Sequence, residues 1–172
     1  MFTDTIFALS SGRLPSGVAV VRLSGPHARQ CLALMTGGLP EPRCAKLSFV
    51  RDKRGSLLDQ GLVLFFPAPH SFTGEDCAEL HLHGGAATVS ATLAALSSMA
   101  GMRQAEPGEF TRRAFLMGKV DLTEAEGLAD LLSAETEAQR VQALANAQGG
   151  QKALYEAWRL RIVHARAMIE AE

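Results

Sequence analysis

Residues 77–85 read Cys77-Ala78-Glu79-Leu80-His81-Leu82-His83-Gly84-Gly85, and this stretch decides the class of fold. Apolar and polar side chains alternate along it, which predicts a β-strand over Cys77–Leu82 with one face against a core. The alternation puts three titratable side chains together on the opposite face, and they are Glu79, His81 and His83. The two glycines that follow indicate the entry to a helix, so strand and helix belong to one fold.

The region before this strand shows the same mixture. β-branched and aromatic runs bounded by Gly, Pro or Asp predict four more strands, at Thr5–Leu9, Val18–Leu23, Ala45–Val50 and Gly61–Phe66. Helices are predicted from Ser24-Gly25-Pro26 to Met35 and from Gly84-Gly85 to near Gly101, with a hairpin turn at residues 51–55. Because strands and helices do not alternate strictly, the pattern predicts an α+β fold with a mixed sheet.

After Thr123 the sequence becomes purely helical, so we expect a first domain over residues 1–118 and the beginning of an all-α domain over 119–172. Capping boxes are predicted at Thr123–Glu126 and Thr136–Gln139. Two apolar stripes at helical spacing are predicted to pack in a core: Ala125, Leu128, Ala129 and Leu132, then Leu154, Trp158, Ile162, Ala165 and Ile169. The second stripe runs towards Glu172 without a Gly or Asn cap, so we expect further chain or a partner to cover it.

Composition excludes several classes of function. The formal net charge of -1 gives no excess of positive charge, so autonomous binding to a nucleic-acid backbone is not expected. No apolar run reaches the roughly 18 residues that cross a bilayer, and no secretory signal opens the chain, so we expect a soluble cytoplasmic protein without a membrane partner. Cys31, Cys44 and Cys77 form no C-x-x-C pair and are interpreted as reduced packing residues.

Binding of GTP by this chain is also not expected. Residues 12–17 carry two glycines at the separation found in a P-loop. The next residues are Val18 and Ala19, where a P-loop needs Lys and then Ser or Thr. They also open a predicted strand, whereas the phosphate site needs the N-terminus of a helix.

Three interpretations of the polar strand face remain open from the residues themselves. The carboxylate of Glu79 could accept paired hydrogen bonds from a ligand with an amidine-like N–H and NH₂ edge, such as a pterin. His81 and His83 could instead ligate a transition metal, although the sequence shows no clear third ligand. The face could also be solvated, in a module that only docks a partner.

Four motifs relate the chain to a known family. They are Ser71-Phe72-Thr73-Gly74-Glu75-Asp76, His83-Gly84-Gly85, Pro107-Gly108-Glu109-Phe110-Thr111 with Arg113-Ala114-Phe115, and Lys119-x-Asp121-Leu122 with Ala125-Glu126. In this order and with similar spacing, they resemble the N-terminal region of the MnmE (TrmE) family of tRNA-modifying GTPases. The resemblance extends from Thr5 to the end of the chain.

The resemblance implies a folate-binding domain with a fold like that of tetrahydrofolate-dependent aminomethyltransferases. The implied cofactor is a tetrahydrofolate derivative, 5-formyl- or 5,10-methylene-tetrahydrofolate, bound by Arg22, Glu79 and Lys119. The family also implies a homodimer formed through this domain, the flavoprotein partner MnmG, and a tRNA substrate modified at its wobble uridine, U34. GTP, Mg²⁺ and K⁺ belong to a GTPase domain absent from these residues, and we expect no catalytic residue or metal ligand here.

Overall fold

A computed structural model of the chain describes residues 2–170. It divides into two compact units, the first ending at Ala114 and the second beginning at Phe115. The elements, in chain order, are β1 (Thr5–Leu9), β2 (Ser16–Ser24), α1 (Ala28–Thr36), β3 (Lys46–Arg51), β4 (Leu57–Phe66), β5 (Cys77–Gly84), α2 (Ala86–Ser97), β6 (Met102–Gln104), α3 (Glu109–Leu116), α4 (Leu122–Ser133), α5 (Glu137–Ala147) and α6 (Gly150–Glu170).

The first unit is built on a six-stranded sheet with the order β3-β4-β5-β2-β1-β6. Neighbouring strands are antiparallel except β1 and β6, which are parallel, so the predicted α+β class with a mixed sheet is confirmed. The five predicted strands are present, with ends that shift by a few residues. Strand β6 is not predicted from the sequence, because three residues with one buried side chain are too short to show alternation.

The core lies between the sheet and the helices α1 and α2. Strand β5 contributes Ala78, Leu80 and Leu82 to it, all of them buried, while Glu79 and His81 lie on the opposite side of the strand. The predicted alternation of β5 is therefore confirmed. We call the side of the sheet that bears Glu79 and His81 the open face.

The helix predicted from Ser24 begins later, at Ala28. Ser24 is the last residue of β2, and Gly25 turns the chain with a φ of 136°, a conformation that L side chains rarely adopt. The backbone N–H of His27 then donates to the Thr5 hydroxyl at 2.8 Å. This turn next to β1 delays the helix, so Pro26 is not its first residue.

In the second unit, α4 and α5 each begin with a capping box. The first box is formed by Asp121 and Glu124, not by Thr123 and Glu126, because α4 begins at Leu122. The Glu124 N–H donates to the Asp121 carboxylate at 2.8 Å, and the Asp121 N–H donates back to Glu124 at 2.7 Å. The second box, Thr136 with Gln139, is confirmed.

The apolar stripes of the second unit are only partly packed. Helix α4 contacts α5 through Gly127, where a Cβ atom would overlap the backbone of Asn146 and Ala147. Leu128 is half-buried, but Leu132 is exposed. The prediction of core packing is wrong for α6, whose stripe is largely exposed at Leu154, Trp158, Ile162 and Ile169. The predicted run of this helix to Glu172 lies outside the described residues.

The structure also bears on the predictions about the cysteines and about membrane-spanning helices. Cys31 and Cys77 are buried as expected. The interpretation of Cys44 as a packing residue is wrong, because Cys44 is exposed in the loop before β3. Within residues 2–170, no helix combines the length and the apolar character needed to span a membrane.

Candidate functional site

The open face carries a charged pair at the centre of the sheet. Strands β2 and β5 are adjacent and antiparallel, and their register places Arg22 opposite Glu79. Nε and Nη2 of Arg22 both donate to Oε1 of Glu79, at 3.0 and 2.9 Å. The side chains are 32% and 17% exposed, so the pair is partly shielded from water and still accessible to a ligand.

His81 completes this group from the next outward position of β5. Its Nε2 lies 3.0 Å from Oε2 of Glu79, and its side chain is 30% exposed. Each oxygen of the carboxylate is thus held by a different side chain. We call Arg22, Glu79 and His81 the open-face cluster.

The environment keeps Glu79 ionised. Partial burial acts to raise the pKa of its carboxyl group. The hydrogen bonds from His81 and Arg22, together with the positive charge of Arg22, outweigh burial and hold the pKa below its ordinary value. The site therefore presents a fixed carboxylate at neutral pH.

Two aromatic rings lie beside the guanidinium of Arg22. Its Cζ atom is 5.8 Å from the centre of the Phe72 ring and 5.9 Å from that of Phe110. These distances are within the range of cation–π contact. Neither residue was predicted to belong to the site, although each lies in a motif that carries the family resemblance.

His83 is not part of the open-face cluster. Its Nδ1 lies 2.8 Å from Oδ1 of Asp59, and its backbone N–H donates to Oδ2 of the same residue at 2.8 Å. His81 and His83 thus contact different carboxylates. No group of three potential metal ligands occurs in the described part of the chain, so the geometry gives the metal interpretation no support.

The third predicted folate residue belongs to the other unit. Lys119 lies in the turn between α3 and α4. The structure therefore brings Arg22 and Glu79 together, and the assignment of Lys119 to the same site stays a prediction.

A second group of charges in the first unit is centred on a buried arginine. It consists of Asp4, Glu75, Arg103, Glu109 and Arg113, and we call it the buried cluster. Arg113 is at its centre, with a side chain that is 1% exposed. Its guanidinium donates to Asp4 at 2.8 Å, to Glu109 at 3.2 Å and to Glu75 at 3.3 Å.

The buried cluster explains two of the motifs. Glu75 comes from the loop before β5, and Glu109 is the first residue of α3, so their shared contact with Arg113 fastens the two segments together. Hydrogen bonds from Arg103 lower the pKa of Glu109 to about 2, against the opposing effect of burial. Helix α3 begins at Glu109, and no pattern in the sequence indicates that Arg113 is buried.

Comparison with known proteins identifies the family. The family described as the GTP-binding protein TrmE N-terminus matches residues 5–119. The protein named tRNA modification GTPase MnmE from Brucella canis is 61% identical over 171 residues, and its namesake from Chelativorans sp. (strain BNC1) is 62% identical over 169 residues. The alignments cover 99% and 98% of this chain, which spans only 39% and 38% of those relatives. The chain therefore belongs to the MnmE (TrmE) family, of which it carries the N-terminal region.

Proposed function

We propose that this chain is the N-terminal part of a tRNA-modifying GTPase and that residues 1–118 bind a tetrahydrofolate one-carbon donor. The donor is 5-formyl- or 5,10-methylene-tetrahydrofolate, held in a fold like that of the aminomethyltransferases. Residues 119–172 begin the helical domain. The intact cytoplasmic protein acts with MnmG on the wobble uridine U34 of tRNA, and GTP is hydrolysed by a domain outside these residues.

The observation that carries this proposal is the accessible contact between Arg22 and Glu79 on the open face. A reduced pterin offers an N–H and NH₂ edge to a carboxylate, and the glutamate tail of folate offers carboxylates to a cation. Arg22 and Glu79 supply both signs of charge within 3 Å of each other. The rings of Phe72 and Phe110 add apolar surface beside them, as is usual in sites for flat ligands.

The hydrogen bonds of Glu79 define how a pterin could bind. An ionised carboxylate offers about four acceptor positions. Oε1 already accepts two N–H groups from Arg22, whereas His81 is the one hydrogen-bond partner of Oε2 in the part of the chain that the structure describes. A ligand edge that donates to both oxygens must therefore displace one N–H of Arg22, which then becomes available to an acceptor on the ligand.

Titration calorimetry with 5-formyltetrahydrofolate and, separately, with zinc tests the proposal. We expect binding of the folate and none of zinc. Heat with zinc alone would support the metal interpretation, and no heat with either ligand would leave a module that only docks a partner.

Glu79→Gln should weaken folate binding by roughly 1.5–3 kcal/mol, the scale of a lost hydrogen bond to a charged group. Glu41→Gln, at an exposed carboxylate in the same unit, is the matched control and should bind like the wild type.

Dimerisation is supported by a different part of the open face. Leu47, Phe49 and Leu62 are exposed there, on the side of β3 and β4 opposite the buried Val50 and Val63. Exposed apolar side chains grouped on one sheet face are typical of an interface. We propose that a second copy of the chain covers them.

Size-exclusion chromatography with light scattering tests the dimer. The wild type should elute with twice the mass of one chain, and Phe49→Lys should shift it towards the monomer because it places a charge within the apolar group. Leu34→Lys is the control, since Leu34 is equally apolar and exposed but lies on α1, at the other face of the sheet. Equal behaviour of the two variants would exclude this face as the interface.

A further inference from the structure

The two nitrogens of the His81 ring are in different situations. Nε2 is fixed at 3.0 Å from Glu79, while Nδ1 has no hydrogen-bond partner within residues 2–170. The side chain is 30% exposed, so Nδ1 is left for a ligand or for water. A carboxylate at one ring nitrogen sets the orientation and tautomer of an imidazole and stabilises its charged form.

We infer that His81 is an acid–base group of the folate site, which holds a proton on Nδ1 when an acceptor atom of the ligand lies against it. This inference rests on the proposed folate-binding function. Imidazole is the side chain whose protonation ordinarily changes near neutral pH. The proton comes from bulk water and moves to Nδ1 without any change of oxidation state, so no further reactant is required.

The charged groups around His81 favour this role. On its own strand Glu79 contacts the ring, and from β2 Arg22 contacts the same carboxylate. The residue of β4 in register with His81 is the apolar Leu62, and Asp59 of β4 is occupied by His83. One carboxylate thus serves two potential cations, and a ligand that draws Arg22 away from Glu79 leaves that carboxylate to stabilise protonated His81.

The charge of the ligand also favours a pH effect that comes from His81. The carboxyl groups of the folate tail titrate well below pH 6, as ordinary carboxyl groups do, and Arg22 stays charged throughout the neutral range. Between pH 6 and 8 the charges of the folate tail and of Arg22 are therefore constant. Protonation of His81 should strengthen binding as the pH falls through this range.

Calorimetric titration of the chain with 5-formyltetrahydrofolate at pH 6 and pH 8 tests the inference, each in two buffers of different ionisation enthalpy. We expect affinity to be about tenfold higher at pH 6, the scale of one added charged hydrogen bond. The difference between buffers should show uptake of a fraction of a proton on binding at pH 8. His81→Gln keeps an N–H for Glu79 but cannot titrate, and it should bind with an affinity that no longer depends on pH.

The outcomes separate the two proposals. A wild type that binds folate with equal affinity at both pH values, and without proton uptake, overturns the role of His81 and leaves the folate site standing. The same pH profile in His81→Gln as in the wild type also overturns it. Absence of folate binding by the wild type at either pH removes the proposed function and this inference with it.

Discussion

The open-face cluster and the buried cluster contain the same kind of contact but have different roles. In each of them an arginine donates hydrogen bonds to carboxylates that come from distant parts of the sequence. The side chain of Arg113 is 1% exposed and is surrounded by acceptors. That of Arg22 is 32% exposed and, within residues 2–170, donates hydrogen bonds only to Glu79. A cluster with a buried arginine at its centre fastens segments together, while one with a partly exposed arginine keeps capacity for a ligand.

The strongest test of this distinction is removal of the buried cation. Arg113→Met leaves Glu75 and Glu109 without their shared partner inside the protein, and an uncompensated buried charge costs about 3–5 kcal/mol. Urea unfolding should show a loss of this size. Arg112→Met, at an exposed neighbour, is the control and should change the unfolding free energy by less than about 0.5 kcal/mol. Similar losses in both variants would contradict the structural role of the buried cluster.

The second test uses acid. The pKa of Glu109 is about 2 in the folded protein, below the ordinary 4.5, so ionised Glu109 stabilises the folded state. This contribution is on the order of 3 kcal/mol above pH 4.5 and is lost as the pH falls towards 2. Wild type should therefore exceed Glu109→Gln in unfolding free energy at pH 7, and the gap should narrow in acid.

The control for the acid test is Glu106→Gln, at an exposed carboxylate three residues before Glu109. Its unfolding free energy should follow that of the wild type at each pH within about 0.5 kcal/mol. A gap between wild type and Glu109→Gln that stays constant from pH 7 to pH 3 would mean that Glu109 is not held by charge.

The third test concerns the open-face cluster. Arg22→Met should lower the unfolding free energy by less than about 1 kcal/mol, because a partly exposed ion pair contributes little and Glu79 keeps its contact with His81. Calorimetry with 5-formyltetrahydrofolate should show affinity weakened by about 2 kcal/mol. Arg22→Lys retains the positive charge but not the forked geometry of the guanidinium. Its folate affinity should therefore lie between that of the wild type and that of Arg22→Met. A large loss of stability with unchanged folate affinity would make this cluster structural as well.

The sequence predicted the open-face cluster better than the buried one, for a physical reason. Alternation along one strand reports which residues share a face, so Glu79 and His81 could be grouped before the structure was known. Contacts across strands were less accessible, because Arg22 meets Glu79 only through the register of β2 and β5. The family resemblance, not the pattern, suggested that pair.

The buried cluster could not be predicted in this way. Asp4, Glu75 and Arg113 are far apart in sequence, and charged residues are rarely buried, so composition favours exposure for each of them. The prediction that the apolar stripe of α6 packs in a core was wrong for a related reason. Periodicity shows that α6 has an apolar stripe, but it cannot show whether other residues cover Trp158 and Ile162, which are exposed.

The smallest effect is expected at His83, which lies next to the open-face cluster but does not belong to it. His83 follows His81 on the same side of β5, but its side chain is 76% exposed and contacts Asp59. His83→Gln should therefore change the unfolding free energy by less than about 0.5 kcal/mol. Folate affinity should stay within about twofold of wild type at both pH 6 and pH 8, because no atom of His83 contacts Arg22, Glu79 or His81 by a hydrogen bond in the described chain.

The paired comparison of His83→Gln with His81→Gln then decides what the strand face recognises. If only the His81 variant alters the pH profile of binding, the ligand contacts the cluster that Glu79 organises. If both variants lose affinity equally, the ligand lies along the whole strand face, as the metal interpretation requires, and zinc should then compete with folate. The two histidines share one strand, one face and one residue type, so a difference between them follows from their carboxylate partners.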